Sequence, residues 1–235
     1  MTNEKLATAL RTLLQAHPLT NYPWELPDNC PIEIPSQVSC VYEMNVHLKR
    51  HLHAVIKNDH TLKSHYWVIQ DWGRIGSFKK NEKNDARIRT FLNELGKSRL
   101  TRSSFKCISS LSKVASFIEP EKYAIYDSRA IYSLNWLLYK FAESDQLFPQ
   151  PAGRSAELAK YDMQTIFRLA KRPFSYRSPE TAFHDYCQLL RELSVQIFEQ
   201  DSKPYMVEML LFMIAPIWVV SEIEKSVSLS IIKAA

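Results

Sequence analysis

The sequence predicts an all-α fold. Apolar residues recur at helical spacing along most of the chain, whereas the alternating pattern that is typical of half-buried strands is sparse. The chain has 235 residues, of which 46% are hydrophobic. This length suits one domain with a sizeable core and is short for two independent domains. We therefore expect a single domain over residues 1–235.

The N-terminal part predicts two helices separated by an extended stretch. Residues 1–18 have the pattern of an amphipathic helix and lack the apolar core of a signal peptide. Five prolines within residues 18–37 predict an extended segment, which Tyr22 and Trp24 are expected to anchor to the body of the protein. Residues 41–57 place six apolar side chains on one helical stripe, so a second helix is expected there.

The middle of the chain predicts short helices joined by turns. In order, we expect a short buried piece over 65–69, a turn over 72–76, a helix over 84–95 that ends at Gly96, a helix over 101–108, a tight hairpin over 110–112, a second short helix over 113–118 and a loop over 120–126.

The C-terminal half predicts longer helices. Asp127 is expected to cap a helix that extends to about Phe141, because Asp accepts hydrogen bonds from free N–H groups at a helix start. A linker rich in Pro, Gly and Ser follows. The further predictions are this linker over 145–155 and helices over 155–171, 179–200 and 205–225.

Composition limits the location and the cofactor chemistry that we expect. The most apolar stretch, residues 209–220, is too short to span a bilayer, which favours a core helix and a cytoplasmic protein without a membrane partner. The four cysteines form no CxxC pair and fit no iron–sulfur spacing. Only four glycines are present, which argues against Rossmann and P-loop sites. We therefore expect no metal, no cofactor and reduced thiols.

Positive charge is concentrated in one part of the chain. Residues 47–106 contain 14 Lys and Arg against 5 Asp and Glu, so this segment has a net charge of +9. Residues 1–46 sum to −3 and residues 107–235 to −1. A field of this kind favours a polyanion such as nucleic acid, although a solvated basic helix face explains the charge about as well.

The most informative segment spans residues 105–129. Here the predicted hairpin joins two short helices, Lys113 begins the second of them, and the following loop returns the chain to Asp127. Helix N-termini present free N–H groups and a positive dipole end to anions. A hairpin between two short helices is therefore suited to hold a phosphate without contacting a base.

These motifs resemble the helix-hairpin-helix DNA glycosylase superfamily, in particular its 8-oxoguanine-glycosylase-like branch. Residues 113–115 (KVA) match the lysine element of that family, and residues 125–129 (IYDSR) match its aspartate element. The resemblance covers about 35 residues. It implies a two-lobed helical fold with the active site in the cleft, with one lobe over 41–145 and the other formed by 1–40 together with 146–235.

The sequence departs from the family pattern at several positions. Ser110 and Ser112 stand where the family hairpin usually has glycines, and Arg129 stands in place of a common histidine. The loop between Lys113 and Asp127 is short. These departures indicate a divergent branch. Bacterial members of this looser group are associated with phage defence through excision of modified bases from viral DNA, so the resemblance implies repair or defence as the role.

The resemblance implies that Asp127 and Lys113 are the catalytic residues. Breaking an N-glycosidic bond builds positive charge on the sugar, which a fixed carboxylate stabilises. Asp127 could also activate water or take a proton from Lys113. A neutral lysine amine can attack C1′ and form a Schiff base, which would add AP-lyase activity. If Lys113 stays charged, water is the nucleophile instead.

The predicted DNA contacts and base pocket surround these two residues. A base inside a duplex must flip into a pocket, where aromatic rings stack on it. For the pocket we expect Trp72, Tyr126 and Trp136, together with Asn135 as a hydrogen-bonding group. The residues expected to contact double-stranded DNA are Ser110, Ser112, Arg129, Arg74, Lys79 and Lys80.

Two other classes of function are weaker interpretations. His47 and His51 have a spacing that suits zinc, but no third ligand is evident. Glu119, Glu121 and Lys122 form an acidic–lysine cluster that a metal-dependent nuclease would place on a strand, and the helical context argues against it. The alternative that stays open is a non-catalytic helical DNA-binding module with a degenerate hairpin. In either case we expect a monomer.

Overall fold

Helices account for 63% of the chain and strands for 2% in the computed structural model, which confirms the predicted all-α class. The structure describes residues 2–142, 144–153, 155–171, 173–198 and 201–227. Its α-helices are α1 (Thr2–Ala16), α2 (Val41–Asn58), α3 (Lys63–Trp67), α4 (Glu82–Leu95), α5 (Arg102–Phe105), α6 (Ile108–Ile118), α7 (Ser128–Lys140), α8 (Ala156–Ala159), α9 (Met163–Leu169), α10 (Ala182–Phe198), α11 (Pro204–Ile214) and α12 (Val220–Ser226).

Three short non-α segments and one pair of short strands complete the described elements. A 3₁₀ turn spans Leu19–Asn21, and π-helical segments span Val68–Trp72 and Ala215–Val219. The strands β1 (Gln146–Leu147) and β2 (Ser175–Tyr176) pair in parallel.

Helix α11 lies at the centre of the core. Ten of its eleven residues are buried, because its sequence is apolar on all sides except at Glu208. It packs against α7 and α10, while α1 covers α10 and α2 packs against α6. A helix that is apolar all round must be covered by protein on every face. This arrangement fixes α7 and α10 against α11, and α6 against α2.

The C-terminal helical segment is longer than the apolar stretch of residues 209–220 that the sequence indicates. Pro204–Ser226 runs through the second π-helical segment as 23 residues and, among the described residues, is long and apolar enough to cross a membrane by length and composition. However, 67% of its most apolar window is buried inside the protein, as in the core helix of a globular protein. Pro216, which lacks a backbone N–H, accounts for the local change in helix type.

The predicted hairpin over 110–112 is wrong. These residues lie within α6, and the turn between α5 and α6 is instead at Lys106 and Cys107. The apolar spacing of Ile108, Leu111 and Ala115 continues the helix through the serines. Lys113 therefore lies in the second turn of a helix rather than at its first residue. The helix predicted over 101–108 correspondingly ends early.

The helix predicted over 155–171 is divided in two. Helix α8 ends at Ala159, and Asp162 caps α9 by accepting a hydrogen bond of 2.8 Å from the Thr165 backbone N–H. Aspartate is a strong N-cap, so it starts a new helix where the apolar periodicity alone predicted continuity.

Candidate active site

Lys113 and Asp127 meet on one wall of a cavity. The Lys113 Nζ atom lies 3.8 Å from Asp127 Oδ2, and the two side chains are 7% and 19% exposed. Asp127 Oδ1 accepts a 2.7 Å hydrogen bond from the Arg129 backbone N–H, which caps α7. One carboxylate oxygen is therefore fixed by the helix start and the other faces the lysine. The structure brings together the two residues that we expected to converge.

Gly73 determines the path of the Lys113 side chain. A Cβ atom at position 73 would lie 2.6 Å from Lys113 Cδ and 2.6 Å from the carbonyl oxygen of Ile69. The lysine stem therefore passes directly over a glycine that ends the first π-helical segment. We predicted a turn here but did not predict that it supports the lysine.

The cavity has a volume of about 530 Å³ and aromatic walls. The Trp24 ring packs edge-on against Trp72 at 6.2 Å and against Phe212 at 5.4 Å, and Tyr22 also lines the cavity. Trp72 is held by a 2.9 Å hydrogen bond from its Nε1 to Asn45 Oδ1. This size is within the range of small-molecule sites, which are commonly lined by aromatic side chains.

Two buried charged residues, Lys49 and Glu208, flank the Lys113–Asp127 pair. Lys49 Nζ donates a 3.0 Å hydrogen bond to Ser116 Oγ. Glu208 lines the cavity and is only 1% exposed. We did not predict either residue. The one signal in the sequence was a single acid inside the otherwise apolar run of α11.

Burial disfavours the charged forms of both residues. It lowers the pKa of the Lys49 amine to about 8, which Glu208 opposes and Lys113 reinforces. It raises the pKa of the Glu208 carboxyl to about 7; Lys49 and Lys113 oppose this rise, and Asp127 adds to it. Perturbed titratable groups that gather in a cavity are typical of functional sites, although structural charge networks produce them too.

Glu208 should make folding stability depend on pH. Between the ordinary carboxyl pKa of 4.5 and the folded value of about 7, the folded protein retains a proton that the unfolded chain has released. The Glu208 contribution to the free energy of unfolding therefore falls as pH rises through this window. We expect Glu208→Gln to gain stability relative to the wild type across that range, as measured by urea unfolding. A difference that stays constant with pH would contradict this assignment.

The basic residues predicted to contact DNA fall into two groups. Arg74 lines the cavity and stacks on Trp24, with its guanidinium carbon 4.4 Å from the ring centroid. Arg129 lies over the Phe212 ring at 4.8 Å. Lys79 and Lys80 are exposed and do not line this cavity.

The two serines of α6 that we predicted to contact DNA lie in different environments. Ser110 lines the cavity; Ser109 and Lys106, which we did not predict, line it too. Ser112 is fully buried, and its Oγ accepts a 3.0 Å hydrogen bond from the Tyr126 backbone N–H. Because it faces the core, the prediction that Ser112 contacts DNA is wrong.

Three of the four residues predicted for the base pocket do not line this cavity. Tyr126 is buried, and its hydroxyl donates a 2.8 Å hydrogen bond to the Pro149 carbonyl. Trp136 stacks on Tyr139 and Phe167 in the core. Asn135 is buried beside a neighbouring cavity, and its amide bonds both backbone groups of Phe148. Of the four, the structure brings only Trp72 to the site.

The residues that suggested metal chemistry are engaged elsewhere. The rings of His47 and His51 stack with their centroids 4.0 Å apart. Glu119 pairs with Lys122 at 3.9 Å on the surface, and Glu121 pairs with Lys203. Within the part of the chain that the structure describes, no group of three His, Cys, Asp or Glu residues gathers as a metal site would require.

No protein-family model matches the chain, and neither a curated protein nor a solved structure matches it.

Proposed function

We propose that the protein is a DNA glycosylase that flips a modified or damaged base out of double-stranded DNA and cleaves its N-glycosidic bond. The observation that carries this proposal is the sheltered Lys113–Asp127 pair, 3.8 Å apart, on the wall of an aromatic cavity. The resemblance of residues 113–115 and 125–129 to the lysine and aspartate elements of helix-hairpin-helix glycosylases supports it.

The fold we propose around this site is the two-lobed arrangement of that superfamily. In it, the lobe over 41–145 and the lobe formed by 1–40 with 146–235 border a cleft. The cavity walls fit this division, because Trp72 and Lys113 come from the first segment while Tyr22, Glu208 and Phe212 come from the second. A cytoplasmic monomer and a role in repair or phage defence belong to the same proposal.

Asp127 would supply electrostatic stabilisation. As the N–C1′ bond breaks, positive charge develops on the deoxyribose, and a carboxylate that is already fixed needs no reorganisation to meet it. The hydrogen bond from Arg129 N–H to Oδ1 fixes the carboxylate, and its position at the head of α7 leaves Oδ2 toward the cavity. Burial strengthens this effect because water screens the charge less.

Lys113 would act as the nucleophile once its ammonium group has given one proton to the departing base, which leaves with the electron pair of the broken glycosidic bond. The amine then donates its electron pair to C1′, and Asp127 Oδ2 is close enough to receive the proton that the attached nitrogen loses. As the C1′–O4′ bond breaks, the nitrogen forms a Schiff base with C1′ and O4′ takes up the proton from Asp127.

Basic residues around the cavity would hold the DNA backbone. Arg74 and Lys106 line the cavity and are exposed, and Ser110 lies beside them in the first turn of α6. They belong to or border the segment of residues 47–106, whose net charge is +9. Phosphate contacts of this kind position DNA without reading its sequence.

The direct test is cleavage of DNA that carries the target base. We expect purified protein to create alkali-labile sites in such DNA, and a chelator to leave the yield unchanged because the proposed chemistry uses only side chains. Loss of activity with the chelator would indicate a metal-dependent nuclease instead. DNA binding without any alkali-labile site would favour the non-catalytic binding module.

Borohydride should trap the protein covalently on its DNA substrate. The reagent reduces the Schiff base that the Lys113 amine forms, and the cross-linked product migrates as a larger band in a denaturing gel. We expect Lys113→Gln to abolish trapping and Lys97→Gln, which removes an exposed lysine that does not line the cavity, to retain it. Base release without trapping would assign the attack to water.

A further inference from the structure

Glu208 is a buried acid with one carboxylate oxygen to which no described protein group donates a hydrogen bond. It comes from the middle of α11, the apolar central helix, and lines the cavity one helical turn before Phe212. Within the described part of the chain, its Oε2 atom is buried and has no hydrogen-bond partner. Buried carboxylate oxygens are almost always paired, so an unpaired one on a residue that lines a cavity indicates a ligand.

The neighbouring charged groups do not satisfy Glu208. Lys49 donates its hydrogen bond to Ser116, and among the described residues no salt bridge joins it to Glu208. Lys113 pairs with Asp127. The two lysines favour the ionised carboxylate from a distance, while the charge of Asp127 opposes it. Tyr22, Tyr186 and Cys187 are further titratable groups that the Glu208 charge affects.

We propose that Glu208 determines specificity by accepting a hydrogen bond from an exocyclic amino group of the flipped base. With the Glu208 carboxylate ionised, the site would therefore take amino-bearing bases and reject their counterparts that carry a carbonyl oxygen at the same position. This inference rests on the proposed glycosylase function and names the substrate class of that site.

The Glu208 carboxylate would distinguish an amino group from a carbonyl oxygen on the base by their opposite hydrogen-bonding roles. An ionised carboxylate only accepts hydrogen bonds, and an amino group donates them. A carbonyl oxygen placed against the carboxylate would bring two acceptors together in a buried site and leave both unsatisfied. Sites built to bond a particular substrate group reject analogues that lack it far more strongly than apolar pockets do. Phe212, Trp24 and Tyr22 would hold the base plane and keep its edge toward α11.

Matched pairs of probe bases test this inference. The probes are DNA duplexes that contain one 2′-fluoro nucleoside, whose glycosidic bond is not cleaved. An abasic site lies opposite this nucleoside, so that no base pair has to be broken when the base flips. Adenine is compared with hypoxanthine, and cytosine with uracil, because each pair differs by an amino group replaced by oxygen. Binding is measured by fluorescence anisotropy at mildly alkaline pH, above the Glu208 pKa of about 7.

We expect the wild type to bind the amino member of at least one pair at least about tenfold more tightly. In Glu208→Gln this ratio should fall to about 1, because the side-chain amide can turn either its oxygen or its NH₂ group toward the base. Glu82→Gln, which changes an exposed glutamate of α4, should keep the wild-type ratio. Thermal melting establishes that each variant is folded.

Two results would overturn the inference. One is wild-type protein that makes alkali-labile sites but binds both members of each pair equally, a result that leaves the glycosylase proposal standing. The other is a folded Glu208→Gln variant that keeps the wild-type ratio. Protein that binds no probe and makes no alkali-labile site would overturn the proposed function together with this inference.

Discussion

Replacement of Asp127 by asparagine should lower the rate of base release by at least about 100-fold, because it removes the negative charge that stabilises the positive charge developing on the sugar. Asparagine has the same shape and is an equally good N-cap, so α7 should keep its start and the protein its fold. The measurement is the yield of alkali-labile sites under single-turnover conditions, together with thermal melting of both proteins.

Asp162→Asn is the matched control for this experiment. Asp162 caps α9 by accepting a 2.8 Å hydrogen bond from the Thr165 N–H, as Asp127 caps α7, but it does not line the Lys113 cavity. This variant should keep wild-type activity. If Asp127→Asn is folded and equally active, Asp127 is only a helix cap. If the protein binds DNA, releases no base and keeps its biological effect in Asp127→Asn, the binding-module alternative is correct.

Gly73→Ala should lower both the stability and the activity of the protein. The new methyl group would lie 2.6 Å and 2.8 Å from the backbone carbonyl oxygens of Ile69 and Val68, which cannot move without distorting the π-helical segment. Overpacking of this kind costs about 1–3 kcal/mol. The same methyl group would displace the Lys113 stem, so borohydride trapping should decrease more than the loss of folded protein explains.

Gly76→Ala provides the comparison within the same turn. A Cβ atom at Gly76 would meet no other atom within 4 Å, so this substitution should leave stability and trapping near wild-type values. Urea unfolding gives the free energy of unfolding of both variants. The yield of trapped protein per folded molecule shows whether Lys113 is still positioned to react. Equal behaviour of the two variants would mean that Gly73 does not position Lys113.

A local rule located Asp127 at a helix start, whereas the pairing of Lys113 with Asp127 was expected from the family resemblance. Aspartate caps helices, and this rule correctly located the start of α7. The loop after α6 was predicted from Pro120 and the residues that follow it. Because a short loop must return the chain beside the helix it leaves, the pair converges even though Lys113 lies deeper in α6 than we predicted.

Proximity in sequence was a poor guide to which aromatic residues line the cavity. Tyr126 and Trp136 are close to Asp127 along the chain, but successive residues of a helix and its leading loop point in different directions, and both rings face the core. The aromatic walls include Tyr22, Trp24 and Phe212, which are far from Asp127 in sequence. Only tertiary packing brings them together, so no local pattern could indicate them.

The sequence also did not indicate which charged and polar residues are buried. Lys49 has the spacing of a surface lysine on α2, yet it lies between α2 and α6 with its amine 4.4 Å from the centroid of the Phe117 ring. The serines of α6 were typical of a turn, but Ser112 and Ser116 are buried and hydrogen-bonded. Whether a polar residue is solvated or paired depends on the helix that packs over it.

The most direct test of the central claim is the identification of released bases. Genomic DNAs, including heavily modified phage DNA, are incubated with the wild type or with Asp127→Asn, and the free bases are analysed by mass spectrometry. We predict that the wild type releases one modified or damaged base from at least one DNA without added metal and that the variant releases none. Equal release by the two proteins, or no release from any DNA in the panel, would contradict it.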